Sequence, residues 1–368
     1  MKYFLIAGEA SGDLHGSNLI TALKQNDNEA EFMFWGGDKM AKASGVAPAK
    51  HISELAIMGF IEVVANLGKI RSNFKSCKSQ IADYKPNAVI FIDFPGFNLR
   101  IAPFVKGLGI STYFYISPKV WAWKESRVSK IKKSIDVLYS ILPFEVDFYK
   151  KFNYEVKYIG NPLMDEISAF KTTYIQDSSK KIIAILPGSR KQELERMLPA
   201  MIEVADSIDN YEFVIAGAPN FDKSYYESFF DKKKYEIEFD NTYSILSRAE
   251  SAMVTSGTAS LETALFNIPQ VVCYKGNKIS VFIARQLVKI KYMSLVNLIL
   301  DKLAVVELFQ KEMNAEQLKL ELLKTLEGGE NRNEILADYK ILSDKVGGAG
   351  ASLRAAEDIY NREISKNN

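Results

Sequence analysis

Two segments hold carboxylates where chemistry on a sugar hydroxyl would need them. In Ile92-Asp93-Phe94-Pro95-Gly96-Phe97-Asn98, Asp93 follows the apolar run Ala88–Ile92. It stands at the exit of a buried strand, where parallel sheets bind their ligands. Phe94 and Pro95 keep water away and raise its basicity. An ionised carboxylate in a dry surround, within reach of an acceptor hydroxyl, is what a general base requires. The same aspartate is also a residue type that caps helices, here one starting near Asn98. The second segment, Gly8-Glu9-Ala10-Ser11-Gly12-Asp13-Leu14-His15-Gly16, ends the first apolar run. Its glycines permit a tight turn, and Ser11 or Asp13 is suited to cap the following helix. The spacing is not GxGxxG, and Glu9 and Asp13 would repel a phosphate. As hydrogen-bond acceptors they suit sugar hydroxyls. A capped turn without a ligand is the alternative reading.

Two further segments have the form of anion cradles. In Leu186-Pro187-Gly188-Ser189-Arg190, the N–H groups of Gly188 and Ser189 would face an anion, and Arg190 can hold phosphate bidentately. Glu193 and Glu195 stand in the first turn that follows, where any helix favours acids. In Thr255-Ser256-Gly257-Thr258-Ala259-Ser260-Leu261-Glu262, a small polar loop again opens a helix. Glu262 lies four residues beyond Thr258 on the same face, placed to bridge two ribose hydroxyls, although Thr258 and Ser260 also serve as plain caps. Two such loops in one half of the chain favour a nucleotide diphosphate. With no Asp-x-Asp in the sequence, no metal is expected to hold it, and Arg190 with the helix dipoles would meet the leaving charge.

The positioning elements are legible as alternation. Short β-rich runs (3–7, 32–35, 88–92, 110–116, 137–141) alternate with helical periods (14–24, 57–78, 99–106, 124–133). This is the pattern of a parallel sheet covered on both faces. The pattern lapses near 165–180 and resumes with runs at 182–186, 213–216, 237–239, 252–255 and 270–274, between helices at 191–208 and from 258. The 368 residues, 47% apolar and 25% charged, suffice for two such domains. The expected class is α/β, with two doubly wound Rossmann-like domains facing a cleft. Residues 1–165 would form the first, completed by a last helix in 351–368, and 166–350 the second. From 279 onward the pattern is mostly helical. The net charge of +2 argues against a nucleic-acid binder.

Cys77 and Cys273 read as buried thiols of a reducing compartment, and two histidines with no CxxC or HExxH argue against a zinc site. Tyr3–Ala7 is too short for a signal-peptide core, and no apolar run is long enough to span a bilayer. A cytoplasmic location is the expectation. Contact with a membrane surface is suggested by three segments. In 57–78, Phe60, Leu67 and Phe74 keep helical spacing beside Lys69, Arg71, Lys75 and Lys78. In 119–133, Trp121 and Trp123 stand among Lys119, Lys124 and further cations. The basic stretch 275–291 has no acid around 279–284. Tryptophan beside lysine is an interfacial composition. A core stripe and a solvated basic face are the alternatives.

Taken together, these segments resemble the lipid-A-disaccharide synthases, glycosyltransferases of the GT-B fold. The likeness also runs through Met58-Gly59-Phe60-Ile61-Glu62-Val63, Ser117-Pro118-Lys119-Val120-Trp121-Ala122-Trp123, Leu142-Pro143-Phe144-Glu145 and Ser294-Leu295-Val296-Asn297-Leu298. The resemblance implies an inverting transfer of diacylglucosamine from UDP to diacylglucosamine 1-phosphate, giving a β-1,6 disaccharide. It further implies a peripheral enzyme on the cytoplasmic face of the inner membrane, in contact with anionic lipid, commonly a homodimer, with no cofactor or metal. On this reading Asp93 is the base, with Glu9 near the acceptor. Gly188, Ser189, Arg190, Ser256, Gly257, Thr258, Glu262 and Asn297 fall to the UDP-sugar, and Ser11, Asp13, His15 and Asn98 to the acceptor. Asn161 stands where the family often has histidine, and Val296 where it has proline. Competing readings are a UDP-sugar 2-epimerase of the same architecture and a non-catalytic nucleotide-sugar binding protein.

Overall fold

The computed structural model describes residues 1–55, 67–123, 125–173, 182–230, 235–277 and 291–367. The chain divides into two compact units, Met1–Asp165 with Gly348–Asn368, and Glu166–Gly347.

In the first unit the strands are β1 (Lys2–Ile6), β2 (Glu31–Gly36), β3 (Lys50–His51), β4 (Ala88–Ile92), β5 (Ser111–Tyr115), β6 (Val137–Ser140) and β7 (Lys157–Tyr158). They form one sheet in the order β3-β2-β1-β4-β5-β6-β7, and every pairing is parallel. Side chains alternate along a strand, so β4 feeds two cores. Ile90 and Ile92 pack under the helices Ala10–Asn26 and Ala351–Asn367, beside Leu19, Ile20, Ala355 and Ile359. Val89 and Phe91 face the other side, with Cys77, Ile81, Leu99 and Ile101 from the helices Leu67–Tyr84 and Pro95–Gly107. The C-terminal helix is fastened by charge as well as packing. The Tyr113 hydroxyl donates to Glu363 at 2.6 Å and that of Tyr139 to Asp358 at 2.8 Å. The Asp165 carboxylate receives the Ser352 N–H at 3.1 Å and its hydroxyl at 3.0 Å.

The second unit holds β8 (Ile182–Leu186), β9 (Glu212–Gly217), β10 (Glu236–Phe239), β11 (Ala249–Thr255), β12 (Gln270–Tyr274) and β13 (Glu307–Phe309), ordered β10-β9-β8-β11-β12-β13 and again wholly parallel. Strand order reverses at β1/β4 in the first sheet and at β8/β11 in the second. Those are the positions where such sheets open a crevice.

Some boundaries differ from expectation for local reasons. The first helix begins at Ala10, so Asp13 lies inside its first turn and caps nothing there. The helix after β4 begins at Pro95, whose fixed φ suits a first helical position, with Phe94 at the cap; the Asp93 side chain makes no cap bond. Residues 56–66, with Phe60, lie outside the described residues, as do Lys124 and the 278–290 part of the basic stretch.

Candidate functional site

At the β1/β4 reversal two loops meet. Gly8 is required there, because a Cβ would fall inside the Phe94 ring. Asp93 and Phe94 both adopt left-handed backbone, with φ of 42° and 48°, and Ile116 at the end of neighbouring β5 does so at 70°. Left-handed backbone costs a non-glycine residue, most of all a β-branched one, and clusters of such strain mark functional sites. Asp93 is half-buried. Desolvation raises its carboxyl above the ordinary range and Glu9 adds to the rise, while Lys119 and the Phe94 N–H act the other way. That leaves a partly desolvated carboxylate with a raised pKa, on which Glu9 and Lys119 act with opposite sign. Glu9, at the cap of the Ala10–Asn26 helix, and Ser11, in its first turn, are exposed.

Of three other residues assigned here to the acceptor, Asp13 and Asn98 bond within the fold. Asp13 is 5% exposed. Its carboxylate receives the N–H groups of Gly37 at 2.7 Å and of Lys39 and Met40 at 3.1 Å, so it fixes the start of the Asp38–Ser44 helix. Asn98 is fully buried, and its amide donates to the Asp93 carbonyl at 2.7 Å, so it braces the loop that carries Asp93. His15 lies deep enough that burial pushes its pKa down to about 4, and its Nδ1 has no partner among the described residues. It is a neutral imidazole at neutral pH.

Sequence reasoning missed a buried acid in the helix after β6. Glu145 is fully buried and accepts from the Ser140 hydroxyl at 3.0 Å, the Trp121 indole N–H at 3.0 Å and the Leu142 N–H at 3.3 Å. Burial pushes its pKa up to about 7. Its signal was the Leu142-Pro143-Phe144-Glu145 segment, a proline start with glutamate two positions on. Trp121 is thereby tied into the fold, edge-on to Phe144, and does not project as an anchor. Phe74 likewise stacks on Phe97 at 4.6 Å, below Arg100, and belongs to the edge of the core. Lys69 and Arg71 of the same helix are exposed, and Arg71 and Lys75 border a shallow groove of about 540 Å³. The side chains of Leu67 and Trp123 lie outside the description.

At the β8/β11 reversal, Gly188 takes φ of 106°, and a Cβ there would collide with the Glu193 carboxylate. That carboxylate receives the N–H groups of Ser189 at 3.0 Å and Arg190 at 3.2 Å, so the expected anion donors are engaged within the loop. The Arg190 side chain is 80% exposed, 3.6 Å from Glu193. Ser256 donates to the Met293 carbonyl at 3.0 Å, and Gly257 and the exposed Thr258 open the Thr258–Leu265 helix. Glu262 is half-buried and receives the Tyr243 hydroxyl at 3.1 Å. Burial raises its pKa, against the Tyr243 bond, and Glu166 adds to the rise. Asn297 is engaged within the fold. Fully buried, it donates to Val305 O and Glu307 at 2.8 Å and accepts from Ala304 N at 2.8 Å and Val305 N at 3.0 Å. Its side chain holds the turn into β13.

Two wholly parallel Rossmann-like sheets, each covered by helices, have the GT-B fold. The UDP-GlcNAc 2-epimerase of Neisseria meningitidis, solved bound to UDP-GlcNAc, superposes with a TM-score of 0.68 over 98% of this chain and 100% of its own, at 12% identity. The glycosyltransferase of kitacinnamycin superposes at 0.67 over 98% of each chain, also at 12%. At that identity the likeness is one of fold. Sequence resolves the family: the model described as lipid-A-disaccharide synthetase matches residues 3–350. The lipid-A-disaccharide synthase of Myxococcus xanthus is 33% identical over 97% of this chain and 96% of its own. The chain belongs to the lipid-A-disaccharide synthase family.

Proposed function

We propose that this glycosyltransferase joins UDP-2,3-diacylglucosamine to 2,3-diacylglucosamine 1-phosphate, forming the β-1,6 disaccharide 1-phosphate and UDP. The observation that carries the reading is Asp93, a strained, partly desolvated carboxylate at a β1/β4 reversal, in a chain of this family. Asp93 takes the proton of the acceptor 6-hydroxyl as that oxygen attacks the anomeric carbon opposite the departing UDP. Positive charge gathers on the sugar ring as the bond to UDP breaks, as in glycosidases. Arg190 and the N–H groups at Gly257 and Thr258 receive the diphosphate, and Glu262 the ribose. For the loop at Gly188 and Ser189 to take phosphate, Glu193 must turn aside, so Arg190 is the first contact. Glu9 orients the acceptor. The exposed cations Lys69, Arg71 and Lys75 support contact with an anionic lipid surface, where both acylated substrates reside. Among the described residues no helix is long and apolar enough to cross a membrane.

Mass spectrometry of the products from the two acylated substrates tests the reaction, with donor alone as the control for epimerisation. Asp93→Asn is expected to lower kcat by about 10²–10⁴-fold, the usual worth of a general base, with UDP affinity retained. Normal turnover by Asp93→Asn removes the carboxylate from the mechanism.

A further inference from the structure

The carboxylate of Glu262 is held by a neighbour from outside its own helix. The Thr242–Arg248 helix, between β10 and β11, sets Tyr243 against the Thr258–Leu265 helix. There the tyrosine meets Glu262 and Phe266, four residues apart and so on one face. Its hydroxyl donates to Glu262 Oε1 at 3.1 Å, and its ring centroid lies 5.1 Å from that of Phe266. Phe170, from the Leu163–Thr173 helix, closes the group, edge-on to Tyr243 at 5.6 Å and to Phe266 at 5.9 Å. Rings in mutual contact fix the plane of the phenol, and with it the hydroxyl at its end. Every one of these residues belongs to Glu166–Gly347.

We propose that Tyr243 is the positioning residue of the ribose site, holding one oxygen of Glu262 so that the other is presented to a ribose hydroxyl of UDP. The inference deepens the assignment of Glu262 to the ribose and rests on it. A glutamate side chain turns about several bonds and loses more rotamer freedom on binding than most. Tied to a fixed phenol, this one has given up that freedom before the nucleotide arrives, which favours binding. Each carboxylate oxygen accepts hydrogen bonds on its own, so the Tyr243 bond leaves the second oxygen whole. The same bond acts on charge. Burial and Glu166 press Glu262 toward its neutral form, and the Tyr243 hydroxyl works against both. The phenol is secure as the donor, since burial and the Glu262 charge push its own pKa well up. A tie that served the fold alone would cost stability when cut, and would treat all nucleotides alike.

Calorimetric titration of the full chain with UDP, 2′-deoxy-UDP and 3′-deoxy-UDP, with no acceptor present, separates the two uses. Wild type is expected to bind UDP about tenfold more tightly than the analogue lacking the hydroxyl that Glu262 holds, the worth of a hydrogen bond to a charged group. Tyr243→Phe keeps the ring and removes one oxygen. It is expected to weaken UDP by about three- to fivefold and that analogue little, so the preference narrows to about two- to threefold. In Glu262→Gln the preference should be lost already, and adding Tyr243→Phe should change it no further. If Tyr243→Phe does not fold, Phe170→Leu, which loosens the ring and keeps the hydroxyl, should narrow the preference in the same direction. Equal weakening of all the nucleotides by Tyr243→Phe marks a tie of the fold and overturns the proposal. So does an unchanged UDP affinity, or a narrowing by Tyr243→Phe that persists in full on top of Glu262→Gln. Wild type that binds UDP and both analogues alike overturns the ribose assignment and the proposal together. Protein that shows the expected preferences yet makes no disaccharide sustains the proposal and overturns the transfer reaction.

Discussion

Burial sets the chemistry of individual carboxyls in this protein more than charge does. Glu145 illustrates the consequence for stability. Its pKa is held at about 7 against 4.5 in water, so between those values the folded chain binds a proton that the unfolded chain does not. Stability therefore declines as pH rises from 4.5 through 7, by about 3 kcal/mol from this group alone. Glu145→Gln lacks the titration, so the stability difference between variant and wild type should move in the variant's favour between pH 5 and 7.5. Urea melts followed by tryptophan fluorescence check this, because the three tryptophans, Trp35, Trp121 and Trp123, all lie in the first unit. Residue roles were legible only where position and type agreed. The position of Asp93 at the strand exit was readable because an all-apolar run ends on it, and its side chain makes no cap bond there. Asp13, Asn98 and Asn297 look equally reactive in the sequence. Each stands beside a tight loop whose buried N–H and C=O groups need partners, and that demand took them.

Among the elements, those with a full hydrophobic period were readable and those without one were not. β4 and β8 are five apolar residues each and stand where the sequence put them. β3 and β7 are two residues long and β13 three, too short to display alternation, and they exist only because a neighbouring strand offers hydrogen bonds. The turn into β13 depends on Asn297, which supplies two donated and two accepted bonds to 304–307. Asn297→Ala leaves buried backbone groups without partners, at about 1–3 kcal/mol for each. Loss of 3–5 kcal/mol is the rough expectation, measured by hydrogen exchange across β12 and β13. Asn297→Asp keeps the accepted pair but sets a carboxylate against Glu307, and should be no better.

For the molecule as a whole, the C-terminal helix is the feature with the widest reach. It returns to cover the Ile90 and Ile92 face of the first sheet from the far end of the sequence. Ending the chain at Gly347 should leave β8 and β11 protected from exchange while lowering the urea midpoint read by tryptophan fluorescence. Supplying residues 348–368 as a separate peptide should restore part of the loss. A ribosome builds proteins in one direction. The unit that emerges first is thus the last to be finished, for its closing helix is made only after Glu166–Gly347. At translation speeds of about 5–20 residues per second that interval is roughly ten to forty seconds. Throughout it the newborn half presents an oily, unroofed sheet to the cell, so demand for chaperones is written into the order of the chain.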